Sequence, residues 1–447
     1  MLVAGALDAV TEAVSRRRAL RRAGVLLALA SMTRPEGPLV AAVLGAAWLV
    51  HRAAAFVHAR RAGAAGTAGA GAAGTSTTSA AGAPRSRAIR DELVAAALFL
   101  GLWLPWFAWR WWYYGWPFPN TYYVKAAGEW ADARSPTPRL AAQMIDNGRY
   151  YLWIWLRETR LLYALPLALV GLGAALSPRG PRGVLALGCA LLALVYVPYT
   201  ISVGGDFMGL HRFIMPLFVA AAIAVTLGLE QLTSLIPAHP LATAHSPAAP
   251  AVLGLLGRLF PTRRALASTS VAALLLGAFA LTQLGLTRTS LARRTADRGI
   301  DTPGYLILYT EDRAKIGRAM APCFRDGDFS IVGGAGAQPY YGRMRAIDVF
   351  GLVSERIAHE EPRIRARAGH TKWGSDALLA EYDPTFVFSC YDLRLDAAQP
   401  ALPCAGPWLA RGYELVTLNV PGLEERGTYY TFLAKKARDF QCPGRVH

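Results

Sequence analysis

A carboxylate, an imidazole and a guanidinium fall close together in Gly204-Gly205-Asp206-Phe207-Met208-Gly209-Leu210-His211-Arg212, between apolar runs at 183–203 and 213–229. Ionisable groups beside hydrocarbon are costly and usually mark a site. Arg212 and His211 are suited to hold a phosphate, and Asp206 a metal ion or a sugar hydroxyl. The plainer alternative is a Gly-Gly bend with Asp206 paired to Arg212. A second polar break, Thr33-Arg34-Pro35-Glu36-Gly37, offers a cation and a carboxylate where two prolines and a glycine end a hydrophobic hairpin. Its plain reading is a helix-breaking turn in which Arg34 and Glu36 pair with each other.

The aromatic run Trp111 to Trp116 fits an interfacial belt. That reading explains the next stretch less well. Pro117-Phe118-Pro119 fixes an extended segment followed by the amide of Asn120, the hydroxyls of Thr121 and Tyr122, and the ammonium of Lys125. Aromatic faces with hydrogen-bonding neighbours suit a sugar ring, which has apolar C–H faces and a hydroxyl rim. Near the C-terminus, Asp348 follows an apolar strand-like run, and His370 and Lys372 lie some twenty residues on. A histidine in such a place is more often structural than catalytic.

The elements that position these groups are largely hydrophobic. The chain is 53% hydrophobic and only 17% charged, well below the quarter usual for soluble domains. Apolar segments near bilayer length are expected at 38–57, 92–110, 160–176, 183–203, 212–235 and 265–287, and a shorter one at 23–32. Of the net charge of +17, +14 lies before residue 288 (25 Lys and Arg against 11 Asp and Glu), and most of that excess is in four segments. These are Arg16 to Arg22, Arg52 to Arg90, Arg179 with Arg182, and Arg258 to Arg264. Each is separated from the next by an even number of apolar segments, so the positive-inside rule puts all four in the cytoplasm. Basic residues confined to short loops argue against nucleic-acid binding. The turns at 33–37 and 204–212, the long loop 111–158 and everything after 287 then face outward.

The expected fold is an α-helical polytopic membrane domain over 1–287, with about seven hydrophobic segments, followed by a mixed α/β extracytoplasmic domain over 288–447. Strand-like runs occur there at 329–333, 346–350, 385–390, 413–419 and 428–433, with helical stretches at 311–321, 352–359 and 375–381. Residues 62–84 read as a low-complexity linker. Cys323, Cys390, Cys404 and Cys442 all fall in the outer domain, where an even count favours disulfides, with three pairings open. Cys189 lies in a span, and no spacing suggests a zinc site.

In order, TRPEG at 33–37, FPNTYYVKA at 118–126, GGDFMGLHRF at 204–213, IDVFGL at 347–352 and GHTKW at 369–373 form a set that resembles bacterial polytopic glycosyltransferases of the GT-C superfamily. The set is most similar to the branch with the mycobacterial terminal arabinofuranosyltransferases. The resemblance implies a bacterial cytoplasmic-membrane enzyme that moves a sugar from a polyprenyl-phosphate donor to a cell-envelope glycan, glycolipid or protein. It implies inverting chemistry on the outer face, in which a carboxylate activates the acceptor hydroxyl and the lipid phosphate leaves. Arg34, Lys125, His211 and Arg212 would serve the phosphate; Asn120, Thr121, Tyr122, Asp206, Asp348, His370 and Lys372 complete the binding candidates, and a divalent metal ion is a conceivable cofactor. GT-C enzymes carry their principal catalytic Asp in the first outer loop, which has no counterpart in this sequence. Asp206 and Glu36 are the remaining carboxylates, neither in the family's position, so the chain by itself is expected to be inactive or impaired. Two other functions fit the same layout: a transporter or flippase for lipid-linked sugars, and a non-catalytic glycan-binding membrane protein. Charges at the outer edge and the absence of repeated halves weigh against the transporter.

Overall fold

The computed structural model describes residues 1–69, 83–125, 138–237 and 262–446. The linker at 62–84 lies largely outside the described residues, as do Ala126 and the connection carrying Arg258. The fold is mostly helical, with several long apolar helices and a C-terminal sheet. It divides into two compact units. The first comprises Met1–Pro117, Ile154–Tyr199 and Ile214–Leu284; the second comprises Phe118–Trp153, Thr200–Phe213 and Gly285–His447.

The first unit is built from α1 (Leu2–Glu12), α2 (Ala19–Thr33), α3 (Gly37–Gly69), α4 (Ala83–Tyr114), the end of α6 (Pro138–Glu158), α7 (Leu161–Leu172), most of α8 (Pro181–Ser202), α9 (Met215–Ser234) and α10 (Arg263–Ala292). Among the described residues, five helical segments are long and apolar enough to cross a bilayer: Gly37–Arg61, Ile89–Tyr114, Pro181–Ser202, Arg212–Ser234 and Ala265–Ala292. The pair Arg139–Glu158 and Leu161–Leu176, bent by 94°, makes six if taken as one broken span. The count differs from seven for a physical reason. Helix α2 has 15 residues, and at ~1.5 Å per residue it covers about 22 Å, short of a ~30 Å hydrocarbon core.

Small residues let these helices touch backbone to backbone. A Cβ on Gly171 of α7 would lie 1.9 Å from the Ala224 carbonyl oxygen of α9, and one on Gly228 of α9 would lie 1.9 Å from the Leu167 oxygen of α7. Gly24 of α2 abuts the Ala95 carbonyl of α4 in the same way. Meanwhile large side chains such as Leu274, Leu276 and Leu281 point outward, 68–73% exposed. Close small-residue contacts inside and leucine outside suit a lipid solvent. Carboxylates and arginines meet at one end. Glu92 takes Arg52 at 2.8 Å, Arg17 at 3.4 Å and the Trp48 indole at 3.1 Å, and Arg21 pairs with Asp91 at 2.7 Å. His51 contacts the Pro178 carbonyl, Arg179 reaches His58, and Arg182 pairs with Glu230. Three of the four basic segments thus share one end of this unit.

In the second unit a six-stranded mixed sheet has the order β4-β3-β5-β7-β6-β8, where β3 is Phe329–Val332, β4 Arg345–Asp348, β5 Phe386–Arg394, β6 Tyr413–Asn419, β7 Tyr429–Lys435 and β8 Arg445–Val446. The first three strands are parallel and the rest antiparallel. Alternation puts Phe386, Phe388, Tyr430 and Phe432 on one face, and Val387 and Leu433 on the other with Trp408 and Tyr413. One disulfide supports each face: Cys323–Cys442 and Cys390–Cys404.

Two helices depart from the sequence expectations. The stretch 138–158, expected as loop, is helical because Met144, Gly148, Tyr151 and Trp155 recur on one face, all buried. Gly148 is required there, since a Cβ would lie 2.4 Å from the Ile201 carbonyl oxygen. Helix α11 (Pro303–Met320) starts well before 311 because Thr302 accepts from the Tyr305 N–H and Pro303 opens the first turn. A short hairpin, β1 (Ala296–Asp297) with β2 (Ile300–Asp301), precedes it.

Candidate functional site

The 204–212 turn belongs to the second unit, where three sequence motifs meet around it. Gly204 and Gly205 take φ of 75° and 78°, a region that glycine reaches without steric cost. A Cβ on Gly205 would lie 2.6 Å from the Tyr151 ring, so the turn lies directly against α6. Beyond the glycines the turn is anchored to the backbone around β2. Asp301 N–H donates to the Phe207 carbonyl at 2.6 Å, and Gly209 N–H donates to the Asp301 carbonyl at 2.8 Å. Leu210 and His211 then both hold left-handed backbone, φ 59° and 53°. For non-glycine residues this costs about 1 kcal/mol each, and such strain clusters at functional sites.

Asp206 sits at the centre, 3% exposed. Its Oδ2 accepts from Arg212 Nε at 2.8 Å; its Oδ1 accepts from its neighbour's Phe207 N–H at 3.0 Å and lies 3.8 Å from Lys125 Nζ. The Asp206–Arg212 pair of the plain reading is therefore present, with Lys125 brought in from a distant motif. Lys125 ends α5 (Asn120–Lys125), a short helix that begins directly after Pro117-Phe118-Pro119. The last carbonyls of α5 are capped from the C-terminal region: Arg363 Nη2 donates to Tyr123 O at 3.2 Å and the Thr371 hydroxyl to Val124 O. These contacts fix the ammonium beside the carboxylate.

The GHTK motif closes the cluster. Gly369 has φ 72°, and a Cβ there would meet Phe207 at 3.0 Å and Lys125 Cε at 3.3 Å. His370 lies edge-on between the rings of Phe207 and Phe350, at 4.4 and 4.3 Å. Burial pushes its imidazole down to about 4, with the nearby Arg367 and Lys125 charges adding to the effect, so it is neutral at pH 7. Lys372 is buried and donates to the Ala358 carbonyl at 2.7 Å. Asp348 accepts from the Phe350 and Leu352 N–H groups at 3.1 and 2.7 Å, which turns the chain after β4. Burial raises its carboxyl, against the pull of those donors. Asp348 and Lys372 are thus engaged with backbone. His211 is buried against the Tyr151 ring at 5.5 Å.

Arg34 and Glu36 belong to the first unit, where the Tyr199 hydroxyl donates to Glu36 at 3.4 Å. Asn120, Thr121 and Tyr122 lie on α5, with Tyr122 stacked on Phe118 at 4.4 Å. Among the described residues, no group of three or more His, Cys, Asp or Glu converges to hold a metal ion.

Several residues of the site carry no sequence signal. A small cleft beside Asp206 is lined by Asn147, Tyr150, Arg298 and Arg367. Its free space is about 10 Å³, roughly one water. Arg298 lies over the Tyr150 ring at 4.4 Å, and the Tyr150 hydroxyl donates to Asp297. Arg367 donates to Asp301 Oδ2 at 2.6 Å. Asp301 is buried, its Oδ1 has no hydrogen-bond partner among the described residues, and desolvation raises its carboxyl against the pull of Arg367. Of the carboxylates at the turn, Asp301 is better placed to take a proton than Asp206, whose two oxygens are already engaged.

Residues 305–434 match a family model described as a domain of unknown function (DUF8728). The match covers the sheet from β3 to β7 with α11, and omits the 204–212 turn. Comparisons with curated proteins and with solved structures return no match.

Proposed function

We propose that this chain is an integral membrane glycosyltransferase of the GT-C type. It moves a sugar from a polyprenyl-phosphate donor to a cell-envelope glycan, glycolipid or protein, at the outer face of a bacterial cytoplasmic membrane. The observation that carries this reading is that Lys125, from a motif far away in the sequence, joins Arg212 at Asp206, with Gly369 packed against Lys125 and Phe207. In the transfer, the bond from the anomeric carbon to the phosphate breaks as the acceptor oxygen attacks. The acceptor proton passes to a carboxylate, and the phosphate departs with the negative charge. Lys125 and Arg212 are the cations for that phosphate, with Asp206 holding both in place. Asp301, whose Oδ1 has no hydrogen-bond partner among the described residues, takes this proton in place of the family's first-loop Asp, so on this reading the chain is active by itself, against the expectation drawn from the sequence. The cleft beside Asp206 is too small for a sugar in this conformation, so donor entry requires the surrounding chain to open.

The test is binding of a short-chain polyprenyl-phosphate sugar to the purified full chain, read by native mass spectrometry. K125A and R212A are each expected to weaken binding on the order of tenfold, the worth of a charge-assisted phosphate contact. Undiminished binding in both variants would sink the assignment. A non-catalytic glycan-binding role is the second reading, favoured by the full engagement of Asp206. Release of lipid phosphate on adding acceptor, lost in D301N, separates transfer from binding alone.

A further inference from the structure

At the basic end of the first unit, a charged cleft and an apolar groove are linked by Arg17, which lines the cleft and reaches Glu92 and Trp48 in the wall of the groove. The cleft, about 530 Å³, is lined by Arg16, Arg17, Arg18 and Arg22 with Glu12. The groove, about 380 Å³, starts at Leu20 on helix α2 and runs past Leu27, Ala41 and Ala96 to Phe99 and Trp103. Its walls are nearly all apolar side chains from α2, α3 and α4. Glu92 is its one charged lining residue, and that carboxylate is already neutralised by Arg17 and Arg52. Arg22 is held by Asp8 and Glu12. Arg16 and Arg18 make no ion pair among the described residues, which leaves the mouth of the cleft with uncompensated positive charge.

We propose that these two cavities form one binding site for an anionic membrane phospholipid. The phosphate headgroup sits among Arg16, Arg17 and Arg18, and an acyl chain lies in the groove between α2, α3 and α4. Guanidinium groups offer forked donors that match phosphate oxygens, and basic clusters at the cytoplasmic ends of spans attract anionic lipids. A groove lined by Leu, Ala and Phe gains nothing from water and is filled by a hydrocarbon chain at little cost. The Arg17 guanidinium, 5.8 Å from the Trp48 ring centroid, sits where headgroup gives way to tail. This inference rests on the first unit lying in a bilayer, and not on the transferase assignment.

The experiment uses the full chain in detergent, titrated with phosphatidylglycerol and with phosphatidylcholine and read by native mass spectrometry. Phosphatidylglycerol is expected to bind on the order of tenfold more tightly, and R16Q/R18Q to abolish the preference. A groove-filling variant, A41W/A96F, should reduce binding of both lipids. E12Q, which leaves all arginines in place, should tighten phosphatidylglycerol and so serves even if the double variants fold poorly. Equal binding of the two lipids, or a preference untouched by both R16Q/R18Q and E12Q, overturns the site. Displacement of phosphatidylglycerol by an equal concentration of polyprenyl phosphate overturns the commitment to a phospholipid. If alkaline carbonate strips the chain from membranes, the bilayer reading itself fails; retention there with no lipid preference defeats only this proposal.

Discussion

The two units of this chain solve the packing problem in opposite ways. The first brings helix backbones into contact at Gly24, Gly171 and Gly228 and leaves leucines such as Leu274, Leu276 and Leu281 exposed. The second buries Phe386, Phe388, Tyr430 and Phe432 together at the sheet and fastens each face with a disulfide. In water, association is driven by hiding apolar surface, so large side chains go inside. Among lipid tails that drive is absent, and close backbone approach with its dispersion contacts takes over. The contrast extends to charge. The first unit gathers carboxylates such as Asp91 and Glu92 with arginines at one end, whereas the second buries the Asp206 and Asp301 carboxylates against half-exposed Arg212 and Arg367.

The contrast can be broken most decisively at the helix contact. Gly171→Leu would drive its side chain into the Ala224 carbonyl, so loss of a folded, monodisperse first unit is expected, a penalty of more than about 3 kcal/mol. A melting temperature near that of the wild type would show that the α7–α9 approach is not structural. Next in size is the Cys323–Cys442 bridge, which closes a separation of 119 residues against 14 for Cys390–Cys404. Removing it with C323S/C442S should cost about 5 kcal/mol, and C390S/C404S about 3, if unfolded-chain entropy dominates. Both losses should appear as a lower midpoint for unfolding of the second unit, and an unchanged midpoint in both variants would show that chain entropy closed by the bridges does not stabilise it.

Smallest is a pH effect at His370. Its folded value of about 4 lies below the ordinary 6.5, so the unfolded chain binds more protons between those values. The stabilisation is fully present above pH 6.5 and is lost as pH falls towards 4, by at most about 3 kcal/mol. Chemical denaturation from pH 7 to 4 should show this slope, and H370F should flatten it. An unchanged slope in H370F would assign the acid sensitivity elsewhere.

Much of the element layout was legible. The five strand-like runs in the C-terminal region coincide with β3 to β7, because β-branched and aromatic residues bounded by turn residues have few alternatives. Apolar runs of bilayer length likewise appear as helices. Helix α6 was missed because its polar residues Asn147, Arg149 and Tyr150 mask the buried stripe in any reading by average hydropathy. The site was legible only in part. Asp206, Lys125, His211, Arg212 and His370 stood out by type and neighbourhood, whereas Arg298, Asp301 and Arg367 sit in unremarkable local sequence.

From the sequence alone came the quantities that are local or additive: apolar length, alternation along strands, the placement of basic segments, and the glycines that mark sharp turns. Each depends on residues within one or two turns of chain, so a linear reading captures it. The tertiary structure alone decided which cysteines pair, that Lys125 stands beside Asp206, and that Asp301 anchors the 204–212 turn. Those are contacts between residues tens to hundreds of positions apart, and their energies exist only once the chain has closed the loops between them.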